Sequence, residues 1–251
     1  LSPPSIRAHA IKSQTWFNIR VAKISDPTWA KEALQHLVLA ETTKSMLLGL
    51  VEKHKKNMQG GLSDVIPSKG KGLAVVLHGP PGVGKTLTAE TMAEHAQKPL
   101  LPINVGELTA ETNMIFRLRK IFETASRWDA VLLLDEADVL LEKRSYEDLR
   151  RNGVVSVFLR MLEYFEGIIF LTTNRIETMD VAFQSRIHIA IKYPHVTPEF
   201  RRRIWANFIE RLDEREAQAK RELIEHLDDI QEWELNGRQI RNVLSIAESI
   251  A

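Results

Sequence analysis

A parallel α/β sheet followed by a small all-helical domain is the fold class predicted by this sequence, and three observations carry it. Five short apolar runs alternate with stretches of helical periodicity, as expected of a sheet covered on both faces. Two of the runs end abruptly in glycine-rich or acidic sequence. Beyond residue 193 no strand-like run follows, and the remaining chain reads as helix.

In chain order, residues 1–28 form a lead-in segment, in which Trp16, Phe17, Ile19 and Val21 suit either a strand or a packed approach to the core. Residues 29–52 are expected to be helical, with Leu34, Leu37, Val38, Met46, Leu47, Leu50 and Val51 as apolar members. Glycines and a proline (Gly60, Gly61, Pro67, Gly70, Gly72) mark 53–72 as a loop. The five expected strands are Leu73–His78, Leu100–Asn104, 130–135, 168–172 and 187–193. Between them, Ile115, Leu118, Ile121 and Phe122 share one helical face, and Val154, Phe158, Met161, Leu162 and Phe165 share another. After Pro194 and Pro198, three helices are expected over 199–212, 216–227 and 238–251. The domain organisation is therefore a lead-in (1–28), an α/β domain (29–195) and a small helical domain (196–251).

Composition excludes some classes of function. The 251 residues carry a net charge of only +1, which argues against a globally basic nucleic-acid binder. Cysteine is absent, so no disulfide or thiolate metal site is available, in keeping with an intracellular location. Neither a membrane-spanning run nor a signal peptide is seen, so a soluble chain is expected. The absence of an initial Met and the helical pattern at the end suggest part of a longer protein.

The strongest motif is Gly79-Pro80-Pro81-Gly82-Val83-Gly84-Lys85-Thr86, which fits G-x-x-x-x-G-K-[ST] between a strand and a helix. Such a loop wraps phosphates with inward-pointing N–H groups, which is why it needs glycine, and the helix that follows aims its positive end at the anion. Lys85 is expected to neutralise the β- and γ-phosphates of ATP and the Thr86 hydroxyl to hold Mg²⁺. Leu87 follows as a further nucleotide contact. The second motif, Val131-Leu132-Leu133-Leu134-Asp135-Glu136, puts two carboxylates at a strand end. We assign Asp135 to the metal, through water, and Glu136 to the attacking water, which favours turnover over simple binding. Asp138 completes a D-E-A-D string and is expected to be solvated or to cap a helix. In the third motif, 168–174, an apolar strand ends in Thr172-Thr173-Asn174, which brings Asn174 within reach of the γ-phosphate or the water.

Together GPPGVGKT, LLLDEAD and LTTN, with the helical tail, resemble an AAA+ ATPase over residues 37–251. The resemblance implies that Asn174 is the first sensor and that Arg186 is an arginine finger acting on a neighbouring subunit's nucleotide. Phe183 stands where many members carry a second arginine. It also implies that Arg238, opening the last helix in Asn236-Gly237-Arg238-Gln239, is the second sensor. Self-association into a ring, a hexamer being the expected size, follows from the same likeness, with an unidentified protein or other macromolecule acted upon. Neither a specific nucleic-acid signal nor a membrane signal is present. Threading members carry an aromatic-hydrophobic-Gly loop, whereas residues 107–114 here hold neither an aromatic nor a glycine. The Lys143-Arg144 pair after the acidic strand resembles large fungal AAA proteins. Arg201, Arg202 and Arg203 are expected to form a solvated helix face. A nucleotide-gated scaffold with little turnover is the alternative to an ATP-driven machine. A GTPase or small-molecule kinase is disfavoured because no N-K-x-D motif occurs.

Overall fold

In the computed structural model, residues 3–11, 15–57, 71–109, 113–143, 148–212 and 217–250 are described. The expected loop at 53–72 lies mostly outside them, as do Arg144 and part of the 107–114 stretch.

Strands β1 (Ser5–Ala10) and β2 (Thr15–Arg20) pair antiparallel, so Trp16, Phe17 and Ile19 do form a strand, while Val21 starts a 3-10 turn. Cross-strand partners His9 and Trp16 stack edge to face at 4.9 Å, and the same imidazole meets Trp128 at 5.1 Å. That contact ties the hairpin to the core.

The helix expected over 29–52 is shorter and starts later. Residues Lys31–Leu34 make one 3-10 turn, and α1 spans Glu41–Asn57. Between them Leu37 and Leu39 are buried while Val38 is only half-buried, the period-two pattern of extended chain. In so short an apolar run, Leu34, Leu37 and Val38 meet the helical template by coincidence of spacing.

The core sheet is all parallel. Its strands are β3 (Leu73–His78), β4 (Leu100–Asn104), β5 (Val131–Asp135), β6 (Ile168–Thr173) and β7 (Ile189–Lys192), in the order β4-β5-β6-β3-β7. Side chains alternate between two cores. Leu132 and Leu134 of β5, with Ile169 and Leu171 of β6, face α4 (Met114–Arg127), α5 (Asp138–Leu141) and α6 (Leu149–Tyr164). Val131, Leu133, Ile168 and Phe170 face α1 and α2 (Lys85–Ala96) on the other side. A short α3 (Val105–Thr109) follows β4 directly. Of the two helical faces foreseen, Leu118, Ile121, Phe122, Phe158, Leu162 and Phe165 are buried; Ile115, Val154 and Met161 are partly covered. Because all five strands run the same way, their C-terminal ends share one edge. Register sets Asn104 beside Asp135 and His78 beside Thr173.

The lid comprises α7 (Pro198–Glu210), α8 (Ala217–Glu225), α9 (Leu227–Ile230) and α10 (Gly237–Ile250) around Trp205, Ile209, Ile230, Ile240 and Leu244. Thr197 caps α7 by accepting from Phe200 N, with Pro198 at the first helical position. The expected helix at 216–227 is two pieces, α8 and α9. Arg201 departs from the solvated face expected of it: it is 8% exposed, and donates to the carbonyls of Gln231 (2.6 Å) and Val196 (2.9 Å). Gln231 follows the short α9 and Val196 precedes the cap of α7, and one guanidinium, with several donors, serves both carbonyls. Arg202 pairs with Asp228, and Arg203 approaches Glu41 of the large domain at 4.0 Å. Among the described residues no helix is long and apolar enough to cross a membrane.

Candidate nucleotide site

The loop between β3 and α2 owes its shape to glycine. Gly79 has φ +143°, and a Cβ there would lie 2.4 Å from the Tyr193 carbonyl oxygen; Gly84, just before α2, has φ +98°. Both angles are ones that side chains disfavour, so glycine is what lets the chain take this loop shape. Tyr193 is fixed as the loop's wall: its N–H donates to His78 O at 2.7 Å and its hydroxyl bonds Thr88 at 2.5 Å. Burial of that hydroxyl pushes its pKa up to about 12, so Tyr193 stays neutral.

Lys85 lies under the loop, 8% exposed, with Nζ donating to the carbonyls of Gly79 (2.8 Å) and Pro80 (2.7 Å) and to Asn174 Oδ1 (2.8 Å). Burial lowers its pKa, Asp135 and Asp138 oppose that shift, and Arg238 reinforces it. The next residue, Thr86, donates from Oγ1 to the two Asp135 oxygens at 3.1 and 3.3 Å. Leu87 is exposed on the first turn of α2. The phosphate-loop and acidic-strand residues named from sequence therefore converge.

Glu136 leaves the strand in a left-handed conformation, φ +56°. For a residue with a side chain this backbone is uncommon and must be held by its surroundings. Glu136 N donates to Thr172 Oγ1 at 3.0 Å, Ala137 N to Thr172 O at 2.8 Å, and Thr172 Oγ1 donates to Asp135. One threonine on β6 thus braces the whole acidic turn. The Glu136 carboxylate accepts from Asn104 Nδ2 at 3.2 Å, while Asn104 Oδ1 accepts from Gly106 N at 2.7 Å. Asn104, Thr172 and Thr173 were missed from sequence. The available signal was positional, since Asn104 ends a strand at the same edge and both threonines stand beside Asn174.

Asp138 is half-buried at the start of α5, and its carboxylate bonds Thr173 and Asn174 of β6 and the turn after it, so the solvated reading fails. Arg186 lies after a 3-10 turn and donates to Glu163 at 3.0 Å and to Ala182 O at 2.8 Å. Its side chain is 25% exposed. Arg238 is exposed on the first turn of α10, and its charge adds to the lowering of the Lys85 pKa. The lid touches the loop itself: Gly237 N donates to Gly82 O at 3.0 Å, and a Cβ on Gly82 would meet the Asn236 side chain at 2.5 Å.

The donor set fits Mg²⁺. Thr86 and Asp135 offer hard oxygens within one ion's span, at the start of the helix that follows the glycine loop.

A parallel sheet with a phosphate loop after its first strand, an acidic turn beside it and a helical lid defines a P-loop nucleoside-triphosphatase core. Residues 75–195 match the family described as "ATPase family associated with various cellular activities (AAA)", and 196–251 match the fungal AAA+ ATPase lid domain. ATPase family AAA domain-containing protein 3B of Homo sapiens is 30% identical over 137 residues, covering 52% of this chain and 21% of that protein. Proteasome-activating nucleotidase 2 of Halobacterium salinarum is 30% identical over 147 residues, covering 52% and 35%. Among solved structures, a FIGL-1 AAA domain superposes with a TM-score of 0.60 at 23% identity, over 85% of this chain and 71% of that one, and shares the fold. The chain belongs to the AAA family of ATPases. It spans about a fifth to a third of the length of those two sequence relatives.

Proposed function

We propose that this domain binds Mg-ATP and hydrolyses it to ADP and phosphate, driving conformational change in a ring of identical subunits. The observation that carries the reading is the Thr86–Asp135 contact with Glu136 turned out beside it, which separates a metal-holding carboxylate from a water-orienting one. Mg²⁺, held by Thr86 and Asp135, would neutralise charge on the phosphates. Lys85 exchanges its loop carbonyls for phosphate oxygens, and the loop N–H groups fix the polyphosphate. Glu136, steadied by Asn104, accepts a hydrogen bond from the attacking water and takes its proton as the bond from the γ-phosphorus to the bridging oxygen breaks. Asn174 is shared between Lys85 and the γ-phosphate side.

Action between subunits is assigned to Arg186 from its place in the AAA motif; here it is half-buried, with its guanidinium held by Glu163 and the Ala182 carbonyl. In a ring, taken as a hexamer, it supplies a planar charge to the neighbour's phosphates. Arg238 reports nucleotide state through the lid. The macromolecule acted upon is an unidentified protein or other polymer, and the setting is intracellular.

Phosphate release by the chain and by Lys85→Ala, measured over a range of protein concentrations, tests the proposal. Turnover that Lys85→Ala abolishes, with a rate per subunit that rises with concentration, is expected. Release indistinguishable from Lys85→Ala would instead support a nucleotide-gated scaffold. Monomeric Glu136→Gln protein with ATP, seen by light scattering at high concentration, would remove the ring.

A further inference from the structure

We propose that Asp138 is a positioning residue for hydrolysis, acting through Thr173 to hold the Asn174 amide against Lys85. The proposal rests on the reading of Asn174 and Lys85 as nucleotide-site residues.

Strand β6 ends at Thr173, so the sheet register does not set the direction of Asn174. Something else must. The Asp138 carboxylate, reaching across from the start of α5, accepts from Thr173 Oγ1 at 2.5 Å and from Asn174 N at 3.2 Å, both through the same oxygen. Thr173, 1% exposed, accepts in turn from Arg175 N at 2.9 Å. One carboxylate and one buried hydroxyl thereby fix three successive residues of the turn. The product of that arrangement is the Asn174 Oδ1 contact with Lys85 Nζ at 2.8 Å. A carboxylate suits the post because it accepts O–H and N–H together, and bonds to a charged acceptor are stronger than neutral ones. Thr172 performs the matching service for Asp135 and Glu136, so the two hydroxyls of β6 and the acids of the β5 turn lock together pairwise.

A plain helix-start acid would affect stability alone, whereas a positioning residue affects kcat through Asn174. The test is a double-mutant cycle on the 251-residue chain with Asp138→Ala and Asn174→Ala, reading kcat, the KM for ATP and the melting temperature. Asp138→Ala is expected to lower kcat about tenfold while KM changes less than about twofold. In the Asn174→Ala background the same change is expected to cost less than about twofold further. Thr173→Val, which leaves the carboxylate in place, should reproduce the Asp138→Ala loss, and Asp138→Asn should fall between. Equal losses in both backgrounds, or an unchanged kcat in Asp138→Ala, overturn the proposal alone. Full activity in Asn174→Ala overturns it together with the reading of Asn174. Should Asp138→Ala fail to fold, Thr173→Val carries the same cycle with the same outcomes, and Asp138→Asn gives a smaller loss of kcat that likewise shrinks in the Asn174→Ala background.

Discussion

Adding one methyl group at Gly79 should cost the fold far more than adding one at Gly84, although both glycines have positive φ and sit in the same loop. At Gly79, φ +143° lies in a region that only glycine occupies readily, and the new Cβ would meet the Tyr193 carbonyl oxygen at 2.4 Å and Tyr193 Cβ at 2.9 Å. Tyr193 has nowhere to retreat, because its N–H is bonded to β3 and its hydroxyl to α2. The backbone conformation alone accounts for about 1–3 kcal/mol. With the steric overlap added, about 3 kcal/mol or more is expected, which for a chain of this size lowers Tm by roughly 6–12 °C. At Gly84 a Cβ meets nothing within 4 Å. Only the conformational term remains there, about 1 kcal/mol, or roughly 2–4 °C. Thermal unfolding of the nucleotide-free Gly79→Ala and Gly84→Ala chains, followed by circular dichroism, compares the two directly. A Gly79→Ala midpoint within about 2 °C of the parent, or one above that of Gly84→Ala, would refute the assignment of Tyr193 as an immovable wall.

Three further outcomes are expected. Leu133→Ala, which empties a fully buried position on the interior strand β5, should cost about 2–5 kcal/mol in chemical denaturation without altering the phosphate loop. Arg201→Met should leave the Gln231 and Val196 carbonyls without their donor and destabilise the lid by about 1–3 kcal/mol, seen as faster hydrogen exchange in α7 and α9. Burial lowers the His54 and His188 pKa values below their ordinary 6.5, so below that pH the unfolded chain binds more protons than the folded one. Stability is therefore complete above about 6.5 and is lost as pH falls toward the lowered folded values. Melting points at pH 7 and pH 5.5 should show this fall, and a His54→Gln variant should show a shallower one.

The elements that sequence disclosed are those whose chemistry is written locally. A glycine-rich turn followed by Lys85-Thr86, and an apolar run closed by Asp135-Glu136, each state a task within a few residues, and the structure brings Thr86 and Asp135 into contact. Asn104, Thr172 and Thr173 were hidden because their roles exist only across strands. An asparagine and two threonines are ordinary strand-end residues until the parallel register aligns them with the acidic turn. Asp138 was misjudged for the same reason, since its partners stand 35 and 36 residues further on. Around Leu37–Leu39 the error was one of period: three apolar residues in a row satisfy a helix and an extended chain alike. Arg201 was assigned to solvent by composition, yet two carbonyls of the lid required a donor.

The junction between Gly82 and Gly237 makes the phosphate loop a fulcrum. Asn236 and Gln239 cap one another reciprocally, Gln239 N to Asn236 Oδ1 at 3.0 Å and Asn236 N to Gln239 Oε1 at 2.9 Å, which stiffens the start of α10 where it meets the loop. A helix of 14 residues extends from that point. At ~1.5 Å per residue it is about 21 Å long, so a tilt of roughly 10° at the loop sweeps its far end through about 3.5 Å. Such a tilt would carry Ile240 and Leu244, and with them the lid core around Trp205.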